Sequence, residues 1–311
     1  MRKLCISIVL IAHTLAISSL VSAQETPYLF ILGVAQDAGY PQVGCYQPHC
    51  MKGWEDPYQR RTATSIALID PERDLNFLFE ATPHLPEQLY ILQIEAPTTR
   101  DGLDGVFLTH AHIGHYAGLM HFGREAMNAQ GLPVYAMPLM SAYLSNNGPW
   151  SQLIALDNVA LMPLRDNHPV ALTTTLSVTP MLVPHRDEFS ETVGYHIEGP
   201  NKSALFIPDI NKWADWDTDI AALIKTVDYA LLDATFFADG ELGNRDMSQI
   251  PHPFVVESMA LFSDLSATER DKVWFIHFNH TNPLLNPESL ESLRVLDAGY
   301  HIAVEGLRLA L

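Results

Sequence analysis

Cysteine is scarce, with 3 in 311 residues. So few cannot form the dense disulfide framework that substitutes for a core in small secreted domains. Basic side chains are also few, 18 Lys and Arg against 36 Asp and Glu, for a net charge of −18. A surface of that sign repels nucleic-acid phosphates and anionic headgroups, which argues against a nucleic-acid or membrane-surface binder. A local pocket can still take a phosphate where a bound metal outweighs the global field. No internal repeat and no Gly/Ser-rich linker divides the chain. Apolar material is plentiful, 48% of residues against 17% charged. That excludes a disordered chain and allows a large core.

One long apolar run exists, Leu4 to Leu20, behind Arg2 and Lys3 and ahead of Val21-Ser22-Ala23. A charged start, an apolar stretch and small residues at a cleavage position predict a signal peptide over 1–23, removed near Ala23. The run falls short of the ~20 apolar residues a membrane span needs, so stable membrane insertion is not expected. The expected mature chain, 24–311, is periplasmic or secreted, and Cys5 leaves with the leader.

Beyond residue 27, short β-branched runs alternate with helical stretches. Strands are predicted over 28–34, 64–69, 76–80, 105–109, 133–137, 176–183, 193–197, 203–208, 229–233, 272–278 and 301–305. Helices are predicted over 114–129, 138–144, 216–225, 253–263 and 287–296. Early strands without intervening helices suggest antiparallel pairing, which favours layered sheets over a doubly wound parallel sheet. Four of the strands end in side chains of one chemical kind. Val106-Phe-Leu-Thr runs into His110, with His112 and His115 close behind. Met181-Leu-Val-Pro runs into His185, Ala204-Leu-Phe-Ile-Pro into Asp209, and Val273-Trp-Phe-Ile into His277. A lone His at a strand end is usually a hydrogen-bonded core residue. Four such ends, offering imidazole and carboxylate without thiolate, predict a Zn, Fe or Mn site.

The segment Thr109-His110-Ala-His112-Ile-Gly114-His115 resembles the His-x-His-x-Asp-His signature of the metallo-β-lactamase superfamily, and His185, Asp209 and His277 stand in the order of its other ligands. The opening Leu32-Gly-Val-Ala-Gln-Asp37-Ala-Gly-Tyr-Pro41, with Cys45 and Cys50, resembles the branch of pyrroloquinoline quinone biosynthesis protein B and the PhnP-type phosphodiesterases. The resemblance spans essentially the whole mature chain. It implies an αββα sandwich of two mixed sheets flanked by helices. It further implies one metal on His110, His112 and His185, and a second on His115, His277 and a shared Asp209.

The chain departs from the signature at Gly114, where the family Asp binds the second metal. Asp37 is either an ordinary turn residue or the carboxylate that fills the gap, so one or two ions are expected. His252 is either a loop residue or, as in the phosphodiesterase branch, a proton donor to the leaving group. Asp233 is a candidate to orient a ligating His. Cys45, Cys50 and His280 resemble a structural zinc site whose middle cysteine is Gln47 here, with His49 available in its place. The cysteines could instead form a disulfide. Together these features imply a secreted hydrolase using metal-bound hydroxide on a small ester, phosphodiester or lactone. The alternatives are an iron-dependent oxidase or hydroxylase, as in the quinone-biosynthesis branch, and a non-catalytic ligand-binding protein.

Overall fold

The computed structural model describes residues 26–98, 102–243 and 245–311; the expected leader, 1–23, lies outside them. The first sheet takes its strands in chain order: β1 (Tyr28–Gly33), β2 (Ser65–Asp70), β3 (Leu75–Phe79), β4 (Gly105–Phe107), β5 (Leu132–Ala136) and β6 (Val159–Pro163). The second holds β7 (Val170–Ala171), β8 (Ser177–Leu182), β9 (Val193–Glu198), β10 (Ser203–Ile207), β11 (Tyr229–Asp233), β12 (Val273–Ile276) and β13 (His301–Ile302). The last strand, β14 (Arg308–Ala310), returns to pair with β1. In each sheet an antiparallel half gives way to a parallel half, at β3 in the first and at β10 in the second. The helices are α1 (Pro48–Glu55), α2 (Leu85–Glu95), α3 (Ile113–Tyr116), α4 (Pro138–Asn146), α5 (Trp150–Ala155), α6 (Ile220–Thr226), α7 (Val255–Leu261), α8 (Ala267–Arg270) and α9 (Leu290–Asp297). None among the described residues is long and apolar enough to cross a membrane.

The strands read as continuous apolar runs because both faces of each sheet are covered. On β1, Leu29 and Ile31 face the other sheet. Tyr28, Phe30 and Leu32 face the outer layer, with Leu85 and Leu92 of α2, Met140 and Leu144 of α4, and Leu153 of α5. Across the sandwich, Ile220 and Ile224 of α6, Val255 of α7 and Val295 of α9 cover the second sheet. The order is helix, sheet, sheet, helix, as expected. Aromatic rings fill the space between the sheets: Phe107 lies between Phe79 and Tyr135 at centroid distances of 5.0 and 4.2 Å, and Tyr195 meets it edge-on at 5.7 Å.

One predicted helix is corrected. The helix expected over 114–129 is a single α turn, α3, followed by a 3-10 segment, Ala117–Phe122. The Gly118 amide donates to Ala81 O at 2.8 Å rather than to a carbonyl of its own helix. A Cβ there would stand 2.1 Å from Thr82 O, so only glycine permits the approach. Tertiary contact overrides local propensity at this point.

Candidate metal centre

Each site residue stands just beyond a strand end, where rigid backbone gives way to loop. Past β4, His110 sets Nδ1 against Thr109 Oγ1 at 2.9 Å, leaving Nε2 to face inward. His112 precedes α3 and His115 lies within it. His185 follows β8, Asp209 follows β10 and His277 follows β12. His277 Nδ1 donates to Thr235 Oγ1 at 2.9 Å, and Thr235 in turn donates to Asp233 at 2.7 Å. These partners fix the ring tautomers, as supporting hydrogen bonds to ligating histidines do.

Four donors converge in a first group. His112 Nδ1 lies 2.8 Å from His110 Nε2 and 3.2 Å from His185 Nε2. Asp209 places one carboxylate oxygen 3.4 Å from His110 Nε2 and the other 3.3 Å from His185 Nε2. Tetrahedral bonds of about 2.0–2.1 Å set neighbouring donor atoms roughly 3.3 Å apart. Three of the four distances have that spacing, and the His110–His112 pair is closer.

The second group is Asp37, His115 and His277. Asp37 Oδ1 lies 3.3 Å from His115 Nε2, and Asp209 Oδ2 lies 3.7 Å from the same nitrogen, so Asp209 stands between the two groups. Asp37 reaches the site because the chain after β1 crosses to the other sheet. Gln36 N donates to Phe278 O, and Phe278 N to Val34 O, each at 2.8 Å. An ideal Cβ on Gly114 would fall 2.2 Å from Asp37 Oδ1 and 2.4 Å from Asp37 Cα. The carboxylate missing from the signature is thus replaced in space by Asp37, and Gly114 is the residue that leaves room for it.

The donor set fits a cation on its own geometry. Asp37 Oδ1, His115 Nε2, Asp209 Oδ1 and His277 Nε2 are all buried without a hydrogen-bond partner. Unpartnered buried polar atoms facing one another are what an ion would satisfy. Burial holds His110 well below its usual pKa, with neighbouring imidazoles adding to the effect, and lowers His185 to about 2 and His277 to about 3. Neutral imidazole is the form a metal requires. His115 moves the other way: burial lowers it, but Glu80 and Asp37 more than offset this and raise it well above the usual value. A proton on His115 there marks a local surplus of carboxylate, which a cation would neutralise.

His252 is buried, with Nδ1 2.9 Å from Asp233 Oδ2 and 3.2 Å from Asp209 Oδ1. Burial opposes its charge, yet the two carboxylates hold its pKa at about 9. It lines a cavity of about 540 Å³ together with Asp37, so both residues border the space a substrate would enter. Asp233 also accepts from Ile210 N at 3.1 Å and Thr235 N at 2.8 Å, so it orders the loop after β10 as well as His252.

Cys45 and Cys50 are bonded to each other, so the expected zinc-thiolate site is corrected to a disulfide. The sulfurs that zinc would need as thiolates are already joined. The His49 and His280 rings lie tilted beside the bond with centroids 5.6 Å apart, and all four donors lie within 4.8 Å of one another.

Sequence reasoning missed Glu80 and Glu188. Buried Glu80, just past β3, sets Oε1 3.5 Å from His115 Nδ1, and Glu188 meets His112 Nε2 at 2.9 Å. The available signal for Glu80 was a carboxylate ending an apolar strand. Asp37, Glu80 and His277 also adopt positive φ, at 22°, 74° and 71°. Non-glycine residues avoid this region unless surrounding structure imposes it, and such residues cluster at functional sites.

Comparison with known proteins agrees with this fold. The family described as "Beta-lactamase superfamily domain" matches residues 75–278. Coenzyme PQQ synthesis protein B from Methylorubrum extorquens is 28% identical over 309 residues, covering 91% of this chain and 100% of the relative. The counterpart from Xanthomonas oryzae pv. oryzae is 28% identical over 313 residues, covering 91% and 99%. Among solved structures, Zn(2+)-bound PqqB from Methylobacterium extorquens superposes with a TM-score of 0.76 at 27% identity, covering 91% of this chain and 100% of that one. A diphosphatase from the PhnP family shares the fold, with a TM-score of 0.62 at 22% identity over 92% and 97% of the two chains.

Proposed function

Because the chain belongs to the β-lactamase superfamily, we propose that it is a metal-dependent hydrolase of a small ester-like substrate, a phosphodiester, lactone or comparable ester. The observation that carries this reading is the convergence of seven buried or half-buried donors, four of whose inward atoms lack any hydrogen-bond partner. His110, His112, His185 and Asp209 would hold one ion, and Asp37, His115 and His277, with Asp209 between, a second. Imidazole and carboxylate suit zinc, with iron or manganese as the other candidates. When bound, such an ion supplies Lewis acidity, polarising an ester oxygen and lowering the pKa of a coordinated water.

The protein's own residues do the rest. Glu80, Thr109, Thr235 and Glu188 hold the ligating rings in place. His252, kept protonated by Asp233 and Asp209, is placed to give a proton to the departing ester oxygen as water adds to the reacting centre. A partly polar cavity of about 540 Å³ suits a small molecule. A cleaved leader over 1–23 would place this chemistry in the periplasm or medium, where a disulfide between Cys45 and Cys50 persists.

Similarity along 91% of the chain to coenzyme PQQ synthesis proteins favours a second reading, an iron-dependent oxidase or hydroxylase acting on a small precursor. Retention of every inward donor except the signature Asp argues against a decayed, purely ligand-binding site. Elemental analysis of the purified protein, paired with hydrolysis assays on 4-nitrophenyl esters before and after chelation, tests the proposal. Zinc or manganese with chelator-sensitive hydrolysis is expected. Iron without hydrolysis would transfer support to the second reading, and absence of any metal would remove both.

A further inference from the structure

Resting on the hydrolase reading, we propose that the substrate carries a carboxylate or phosphate in its non-reacting part, and that Arg186 and Arg245 bind that anion at the mouth of the metal centre. Both arginines line the cavity that Asp37 and His252 border. They come from separate parts of the chain: Arg186 directly follows His185, and Arg245 lies in the loop between β11 and α7. Neither guanidinium has a carboxylate within 4.0 Å among the described residues. Neighbouring Glu188 engages His112 instead.

The charge balance makes the pairing informative. The chain has two acidic side chains for every basic one. The cavity inverts that ratio, with Arg186 and Arg245 against Asp37, whose carboxylate faces His115. Two cations on a concave surface beside a cation-binding cluster focus positive potential there, against the field of the whole molecule. Guanidinium groups prefer planar oxyanions, which they hold through paired N–H donors. Gln42 and Gln249, which also line the cavity, add amides that can complete the shell. The scissile group belongs to the metal centre, so these arginines would bind a second anionic group on the same small molecule.

The test compares two 4-nitrophenyl esters, the butyrate and the mono-glutarate, which differ by one carboxylate, on the metal-loaded protein and its R186Q/R245Q variant. Unmodified protein should favour the glutarate ester by about tenfold or more in kcat/KM, as expected for charge-assisted hydrogen bonds. In the variant the ratio between the esters should fall toward one. R186K/R245K, which keeps the charge but not the paired donors, should give an intermediate ratio. Equal ratios in the unmodified protein and the glutamine variant would overturn the proposal. Should neither ester be cleaved, the hydrolase reading fails separately, and calorimetry with glutarate and with methyl phosphate still decides. Binding of either that weakens about tenfold or more in the glutamine variant supports the anion site and shows which anion it prefers. Absent or unchanged binding of both refutes it.

Discussion

Asp37 occupies the space that a side chain at residue 114 would fill: an ideal Cβ on Gly114 lies 2.4 Å from Asp37 Cα and 2.2 Å from its carboxylate oxygen. The two positions are 77 residues apart and act as one unit, because the carboxylate can enter only where residue 114 has no side chain. A carboxylate thus stands beside residue 114 although the signature position itself carries none. Gly114→Ala should lower stability by about 1–3 kcal/mol, the usual cost of overpacking a tight core position. Removing the Asp37 side chain would not relieve it, since the backbone Cα is itself too close. Thermal or urea melts of G114A and G114A/D37A, expected to be similarly destabilised relative to their parents, check this.

Asp37→Asn keeps the packing and removes the charge. It should lower metal at the second group while leaving the first loaded, so metal per chain falls by up to one ion. Gly114→Asp should lose metal by displacing Asp37, whereas a truly vacant position would gain it. Atomic absorption on dialysed variants distinguishes these outcomes.

His110→Ala removes a donor from the four-membered group and should abolish catalysis together with most of the metal there. His277→Ala affects only the Asp37–His115 group, so one ion should remain. If both variants hold a full metal complement, neither ring is a ligand.

His252→Gln should leave metal content near that of the unmodified protein and lower kcat by about 10²–10⁴, the usual contribution of a positioned general acid. The loss should be smallest for 4-nitrophenol leaving groups, which need little protonation, and largest for alkoxides. An equal loss for both would assign His252 to structure instead.

Glu241 is mostly buried, and burial raises its pKa to about 7 even though Thr281 Oγ1 and Phe237 N donate to it. Its ordinary value is 4.5. Below that value the group is protonated in folded and unfolded chains alike. Between about pH 4.5 and 7 the folded chain retains a proton that the unfolded chain has released, so this group's contribution to stability falls as pH rises through that window. Glu241→Gln should remove that part of the pH dependence in urea melts at pH 5, 6 and 7.

The candidate ligands were legible because each one succeeds an apolar strand, and a sheet end is where such side chains can meet. His110, His185, Asp209 and His277 could therefore be named from local pattern alone. β6 and β14 were not legible. Both lie at sheet edges, where partial exposure weakens the apolar signal, and β14 is only three residues long. The helix expected over 114–129 failed for another reason: Gly118 gives its amide to Ala81, a partner that no local pattern identifies. Glu80, the last residue of the strand expected over 76–80, was overlooked because nothing local shows that its carboxylate is buried against His115.

Local sequence determined the identity of the donors and the layered class of the fold, because apolar periodicity and strand termination are properties of neighbouring residues. Tertiary structure alone decided that Asp37 stands in for the missing carboxylate. That depends on the chain after β1 pairing with Phe278 on the opposite sheet and on Gly114 leaving room for Asp37. It also decided that Cys45 meets Cys50 as a disulfide, and that Arg186 and Arg245 share one cavity. The Asp37 and arginine cases are meetings of side chains from separate segments, set by how two sheets and their loops close around one core, and proximity of that kind is not written in any single stretch of chain.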